Sequence, residues 1–298
     1  MQTRNDKGCD TMLQDLSYGK LENEFHNQQP GADDLLICFQ NNQILLKREE
    51  DNTILLPTIG EAEAWAGEWK SWFTEGFRYV FRMQEKNYFL WLGDLEETQY
   101  GDFNFEPMRM LRYKGVSSDL LYAAFTAWHL YVWYRNNRFC GCCGTGTQHD
   151  TAERMLRCPE CGNMIFPRIS PAVIVGVTDG DRLLMSKYAG RDYTHYALIA
   201  GYTEIGETLE QTVAREVLEE VGLKVKNIRY YKSQPWGIDG NILMGFYCDL
   251  DGDDTIHLDG NELSLAEWHQ REAIPEKDDN MTITREMIRV FDEGKEPK

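Results

Sequence analysis

The chain of 298 residues has no apolar run that approaches the length of a bilayer span. Its longest apolar stretches, such as Pro171 to Val177, have the length of buried strands. The first twenty residues, MQTRNDKGCDTMLQDLSYGK, lack an apolar h-region. No secretory signal is therefore expected, and the chain is expected in the cytoplasm, off the membrane, with its thiols reduced. Positive charge is scarce: 31 Lys and Arg stand against 49 Asp and Glu, for a net charge of -18. Such a surface argues against a sequence-independent grip on nucleic acid or anionic lipid, which needs cations to displace counterions. It also suits an anionic substrate poorly unless bound metal ions neutralise the site locally. Long-period repeats and low-complexity linkers are absent as well. With 42% hydrophobic and 12% aromatic residues, the chain has enough apolar material for a core.

Cysteine is present but unevenly placed. Cys9, Cys38 and Cys248 are isolated, whereas five others crowd into Cys140 to Cys161. Cys140-Gly-Cys-Cys143 and Cys158-Pro-Glu-Cys161 form two C-x2-C knuckles, the spacing of a four-thiolate zinc site. Gly141, Gly144 and Gly162 are expected to supply the tight turns. Cys142 is the odd thiol, since C-x2-C geometry favours Cys140 and Cys143, and His149 reads as a loop residue. A closed four-thiolate site has no open position and is structural.

The segment most informative about chemistry is Gly201 to Leu223, GYTEIGETLEQTVAREVLEEVGL. On a helix, Glu216, Glu219 and Glu220 fall at i, i+3 and i+4, on one face. Three carboxylates there repel one another unless a hard dication such as Mg2+ or Mn2+ sits among them. The opposite face carries Leu209, Val213, Val217 and Val221, a core-facing stripe. Gly222 suits the helix end, Gly201 and Gly206 a close-approaching loop before it. Arg215 stands four residues before Glu219 and is placed to pair with it.

Along the chain, residues 1 to about 30 read as a loosely ordered arm. Leu35 to Phe39, Asn41-Asn42 and Ile44 to Leu46 read as a hairpin. Phe77 to Met83 and Tyr88 to Leu92 are strand-like, and Trp72, Phe77, Tyr79 and Trp91 are expected in a core. Ser117-Ser118-Asp119 caps a long helix with Leu120, Ala124, Trp128 and Val132 on one stripe. Strands are expected at Pro171 to Val177, Arg182 to Lys187, Tyr196 to Ala200, Asn227 to Lys232 and Ile242 to Asp249, and a helix at Thr282 to Asp292. Strands flanking a central helix, with a second helix at the end, predict a mixed sheet covered on both faces.

The Gly201–Leu223 segment resembles the Nudix box, the loop-helix-loop of hydrolases acting on nucleoside diphosphates linked to another moiety. That resemblance implies that Glu216, Glu219 and Glu220 bind metal, that Glu207 lies in or beside the metal shell, and that Arg215 orients a glutamate. Three further features narrow it: the two knuckles, then Phe166-Pro-Arg-Ile-Ser-Pro-Ala-Val-Ile-Val175, then Ser233-Gln-Pro-Trp236 beyond the box. Their order is similar to the NADH pyrophosphatase branch of the Nudix hydrolases. The fold implied is α/β: a Nudix mixed-sheet α/β/α sandwich preceded by a four-cysteine zinc ribbon and an α/β N-terminal domain, dividing the chain at 1–136, 137–166 and 167–298.

The activity implied is metal-dependent hydrolysis of the NAD(H) diphosphate to nicotinamide mononucleotide and AMP, by a homodimer that also removes NAD caps from RNA 5′ ends. Tyr202 and Phe166 would be aromatic platforms for a nucleotide ring. Gln234 and Trp236 would be substrate-side residues, and Glu262 a further glutamate near the metals. Glu219 and Glu262 both remain open as the proton acceptor. Hydrolysis of ADP-ribose or a related diphosphate is the alternative within enzymes; a non-catalytic zinc-ribbon protein that binds nucleic acid is the alternative outside them. The chain departs from the branch after Trp236, where Gly237-Ile238-Asp239-Gly240 predicts a more flexible and more acidic loop.

Overall fold

The computed structural model of the protein describes residues 12–17, 19–51, 53–65, 76–95, 97, 99–113, 116–190, 195–258, 260, 262–275 and 281–298. Cys9 and Trp72 lie outside the described residues. Two compact units emerge. One holds the described parts of 16–168 together with 237–240; the other holds those of 1–15, 169–236 and 241–298.

In the first unit, the expected hairpin splits. Strand β1 (Leu35–Ile37) runs parallel to β6 (Lys86–Trp91), whereas β2 (Phe39–Gln40) pairs with β3 (Gln43–Arg48) in another sheet. Cys38 is the switch between the two. Asn41 and Asn42 take φ of 48° and 62°, the left-handed pair that a two-residue hairpin turn demands. A short β4 (Ile54–Leu55) pairs with β3, and α1 (Ile59–Trp65) follows. Strand β5 (Phe77–Met83) completes the sheet β1-β6-β5. Strands β7 (Gln99–Tyr100) and β8 (Phe103–Pro107) complete the order β2-β3-β8-β7. Phe77, Tyr79 and Trp91 are buried, as expected.

Helix α2 (Ser118–Asn136) starts where the sequence predicts, with the Ser117 hydroxyl accepting from the Leu120 N–H at 3.3 Å. Its buried face is a correction. Leu121, Ala124, Phe125 and Trp133 are buried, whereas of the predicted stripe only Ala124 is. The helix is apolar on most sides, so periodicity alone cannot select the face that packs.

In the second unit, strands β12 (Ser170–Asp179), β13 (Arg182–Tyr188), β14 (Ile199–Tyr202), β15 (Val225–Trp236), β16 (Asn241–Leu250) and β17 (Leu263–Gln270) form one mixed sheet. Its order is β15-β16-β12-β13-β17, with β14 also on β12. Strands β12 and β16 are parallel; the other pairs are antiparallel. Seven consecutive residues of β12, Ala172 to Thr178, are buried because both faces of the sheet are covered. Alternation sends Val173, Val175 and Val177 to one side, where they meet Val213, Val217 and Val221 of α3 (Leu209–Val221). Ile174 goes to the other side, with Ile283, Met287 and Phe291 of α4 (Ile283–Asp292). Burying each such side chain is worth roughly 1.5–3 kcal/mol. This two-sided core is the mixed, doubly covered sheet that the sequence predicts.

Two expectations fail here. Strand β17 escapes sequence reading, because LSLAEWHQ at the sheet edge carries Ala and Glu of low strand propensity. The arm is also tied down at one point, although most of its described residues from 15 to 30 are exposed. Met12 and Leu13 are buried in the second unit, and the Leu13 N–H donates to the Met281 carbonyl at 3.2 Å. Among the described residues, no helix is long and apolar enough to cross a membrane.

Candidate active site

Helix α3 is built to present carboxylates. Its N-terminus carries a capping box: the Gln211 N–H donates to the Thr208 hydroxyl at 3.2 Å, and the Thr208 N–H donates to the Gln211 side chain at 2.8 Å. Gly222 closes the other end at φ 73°. With both ends fixed and one face in the core, the acidic residues have a set direction.

Arg215 organises them. Its Nε and Nη2 donate to the two oxygens of Glu207, at 2.6 and 3.0 Å. Its Nη1 donates to Glu216 at 2.7 Å and to Glu219 at 3.0 Å, and Nη2 also reaches the Tyr202 carbonyl at 2.9 Å. One guanidinium thus ties three carboxylates to the end of β14, using the planar fork that Lys lacks. The Glu207 carboxylate also accepts from the Thr212 hydroxyl at 3.0 Å and from the Glu204 N–H at 3.1 Å. Arg215 above all, with the Glu204 N–H, lowers Glu207 to about 2. Both Glu207 oxygens are engaged inside the protein.

Glu216 is 8% exposed and lies against β14. A Cβ on Gly201 would stand 2.0 Å from its carboxyl carbon, so glycine is needed for that close approach. Burial raises the Glu216 carboxyl above the ordinary range despite Arg215, and the charges of Glu219 and Glu262 raise it further. A buried acid that resists ionisation is the donor a dication satisfies. Glu220 is 4% exposed, on the same helix. Glu219 and Glu262 are exposed, and the Glu262 carbonyl accepts from the Ala189 N–H at 2.9 Å. Among the described residues the glutamates are not gathered as closely as the ribbon thiolates described below. Arg215 stands among three of them, Glu207, Glu216 and Glu219.

The aromatic and amide residues separate. Tyr202 is 52% exposed, and its hydroxyl donates to Asn241 at 3.1 Å. Phe166 is 51% exposed. Trp236 is partly buried at the end of β15, opposite Asn241. Gln234 is fully buried and does not reach the surface. Its Nε2 donates to Gln14 at 3.0 Å and to the Met281 carbonyl at 2.9 Å, while its Oε1 accepts from the Ile283 N–H at 2.8 Å. As folded, Gln234 secures the start of α4 in place of the substrate contact expected of it. Gln234→Leu is expected to lower stability by about 1–3 kcal/mol for each buried group left unpaired; urea unfolding reads the change, and an unaltered midpoint would contradict this role.

The loop after Trp236 is also not free as expected. A Cβ on Gly237 would stand 2.1 Å from the Phe125 carbonyl oxygen, and Asp239 pairs with Arg109 at 3.2 Å. Its acidic residue is thereby compensated and its backbone seated on α2. Sequence reading missed Thr212, Asn241 and the capping box; Thr208-x-x-Gln211 was a legible signal for the last.

The knuckles form two copies of one loop. In each, the first cysteine's carbonyl accepts from a glycine N–H four residues on: Gly144 to Cys140 at 2.9 Å, and Gly162 to Cys158 at 3.1 Å. Gly144 and Gly162 take φ of 77° and 72°, whereas Gly141 is not among the positive-φ residues and does not supply a turn of that kind. Short strands β9 (Gln148–His149), β10 (Leu156–Arg157) and β11 (Met164–Ile165) complete the ribbon in the order β11-β10-β9. Cys140 Sγ lies 3.6 Å from Cys161 Sγ, and Cys143 Sγ lies 3.4 Å from Cys158 Sγ. All four sulfurs fall within 4.8 Å of one another, without Cys142 or His149. Zn–S bonds of about 2.3 Å require tetrahedral S–S edges of about 3.8 Å, so the cage fits zinc. Backbone N–H groups of Cys143 and Cys142 lower the Cys140 thiol to about 6, towards the thiolate that zinc takes.

Comparison with known proteins agrees with this layout. Residues 168–291 match the NUDIX domain, and residues 135–166 match the NADH pyrophosphatase zinc ribbon domain. The NAD-capped RNA hydrolase NudC of Pseudomonas aeruginosa is 38% identical over 160 residues, which cover 54% of this chain and 57% of the relative. The protein of the same name from Photobacterium profundum is 38% identical over 174 residues, 58% of this chain and 65% of the relative. The chain thus spans less than two thirds of these relatives. Among solved structures, a NUDIX hydrolase from Nitrosomonas europaea aligns with a TM-score of 0.46 and 25% identity over 52% of this chain and 91% of that one. The chain carries a Nudix domain behind a zinc ribbon of the NADH pyrophosphatase type.

Proposed function

We propose that this Nudix protein, with its NADH pyrophosphatase zinc ribbon, hydrolyses the diphosphate of NAD(H) to nicotinamide mononucleotide and AMP, and removes NAD caps from RNA. The observation that carries the reading is the Arg215 clamp, which holds Glu216 and Glu219 in one direction beside the strand end at Tyr202. Glu216, Glu219, Glu220 and Glu262 are the donors for Mg2+ or Mn2+. A bound dication would neutralise the diphosphate and acidify the attacking water. Glu207, with both oxygens engaged, acts through Arg215 as a positioning residue. Glu219 is the proton acceptor, being exposed and oriented by the Arg215 guanidinium at 3.0 Å. Tyr202 offers its ring face to a base while Asn241 holds its hydroxyl. A homodimer in the cytoplasm completes the proposal.

The test is to incubate the purified chain with NADH, NAD+, ADP-ribose and NAD-capped RNA, with and without Mg2+ or Mn2+. Metal-dependent release of AMP from NAD(H), or of nicotinamide mononucleotide from capped RNA, supports the reading. Cleavage of ADP-ribose alone would replace it.

Two predictions follow from the clamp. Gly201→Ala places a methyl group inside the Glu216 carboxylate's space, and turnover is expected to fall about 100-fold through misplacement of that acid; steady-state kinetics with a fold check by circular dichroism reads it. Glu207 titrates near 2 in the fold and at about 4.3 in an unfolded chain. Its pairing with Arg215 therefore contributes fully above about pH 4.3 and is lost as pH falls towards 2. The melting-temperature gap between wild type and Glu207→Gln should be constant at neutral pH and close over that acid window.

A further inference from the structure

A β-bulge lies at the end of β17 that leads to Glu262. Strand β17 pairs with β13 residue for residue from Gln270, opposite Arg182, to Leu265, opposite Lys187. The next pair is Leu263 with Tyr188, so Ser264 is an extra residue on β17. An extra residue of this kind bends its strand and reverses the alternation of the side chains beyond it.

That reversal decides where Glu262 goes. Trp268 and Ala266 pack against the core under α3. Regular alternation would continue the same face through Ser264 and Glu262, and would place a hydroxyl and a carboxylate beneath the apolar stripe of α3. With Ser264 inserted, Leu263 takes the core position instead, 2% exposed in the cluster of Val213, Val217 and Val221. Glu262 is left at the exposed edge. Its charge still acts on Glu216. A buried apolar anchor thus adjoins an acid whose charge reaches the site.

Ser264 also closes the bulge. Its hydroxyl donates to the Lys187 carbonyl at 3.2 Å and to the Tyr188 carbonyl at 3.1 Å, one proton shared between two acceptors. Next along the chain, the Ala189 N–H donates to the Glu262 carbonyl at 2.9 Å. The backbone of Glu262 is therefore tied to the stretch that the Ser264 hydroxyl holds. On the other side of Glu262 the tie is more distant in sequence: the His257 N–H donates to the Val221 carbonyl at 3.0 Å. Alanine at 264 would leave both carbonyls of the bulge to solvent.

We propose that Ser264 is a positioning residue, whose bulge and hydroxyl fix the place from which Glu262 serves the dication. This role rests on the reading of Glu262 as a metal donor. Ser264 itself touches neither metal nor substrate; it acts through the backbone of Glu262.

The test is a double-mutant cycle on the full-length, zinc-loaded chain, read by Mn2+ affinity in electron paramagnetic resonance and by kcat on NADH. Ser264→Ala is expected to weaken Mn2+ about tenfold, the lower end of what the supporting partners of metal ligands contribute. Its kcat should fall in parallel. Its melting temperature should stay nearly unchanged, because Ser264 is exposed. Ser264→Thr keeps the hydroxyl and is expected to match wild type. In a Glu262→Gln background, Ser264→Ala is expected to add nothing, because the carboxylate that it positions is gone. The same loss with and without Glu262 would overturn the role, and so would unaltered Mn2+ affinity in Ser264→Ala. Unaltered Mn2+ affinity in Glu262→Gln alone would remove Glu262 from the metal shell, and this role with it. The Mn2+ readout holds whichever diphosphate the chain cleaves, so a failure on NADH alone counts against the substrate and not against Ser264.

Discussion

Glu219→Gln is expected to lower kcat on NADH by about 100- to 10,000-fold, the range that a positioned proton acceptor supplies. The substitution keeps the shape of the side chain and removes its charge. Glu219 is the most open of the three carboxylates that Arg215 holds, with 60% of its side chain exposed. Its loss should therefore leave folding almost untouched, as for other exposed ion pairs. Glu262→Gln serves as the comparison. If Glu262 were the acceptor instead, its variant would show the larger fall and Glu219→Gln would keep most of its activity. A well-folded Glu219→Gln protein with near-normal turnover would remove Glu219 from the mechanism.

The second large effect concerns zinc. Extraction of the ion by a strong thiol reagent is expected to unfold residues 137–166 and to collapse the thermal transition, whereas withdrawal of Mg2+ should stop catalysis and leave melting nearly unchanged. The ribbon's three strands have two residues each, and its buried apolar side chains are few, chiefly Met155 and Leu156. A core that small cannot repay the chain entropy of ordering some thirty residues. Structural zinc supplies an apparent 10–16 kcal/mol in small domains, comparable with the net stability of a whole protein. Cys143→Ser should behave like extraction. Release of one zinc per chain without a change in melting would show that the thiolate cage is dispensable.

What was legible in the sequence was local. The knuckle cysteines stand three residues apart, and Glu216, Glu219 and Glu220 share a turn of helix, so ordinary backbone geometry brings each set together. The α3 stripe was readable because its other face is charged, which makes the period unambiguous. Helix α2 lacks that contrast, and its packed face was misassigned. Gln234 was out of reach for a different reason: its partners are Gln14, Met281 and Ile283, all far away in sequence. Glu207 illustrates the same limit within the site. Its acidic character was visible, but its engagement by Arg215, Thr212 and the Glu204 N–H depends on how the loop returns to the helix. Likewise, Met12 and Leu13 look like part of a polar arm until the Met281 backbone is seen beside them.

The most direct test of the central claim is a Mn2+ titration monitored by electron paramagnetic resonance, run alongside NADH cleavage in the same samples. Saturable Mn2+ uptake by the zinc-loaded chain is expected, with strong weakening in Glu216→Gln and Glu220→Gln and AMP release that tracks the bound metal. Folded, zinc-loaded protein that takes up no Mn2+ through these glutamates and leaves NADH intact would contradict it.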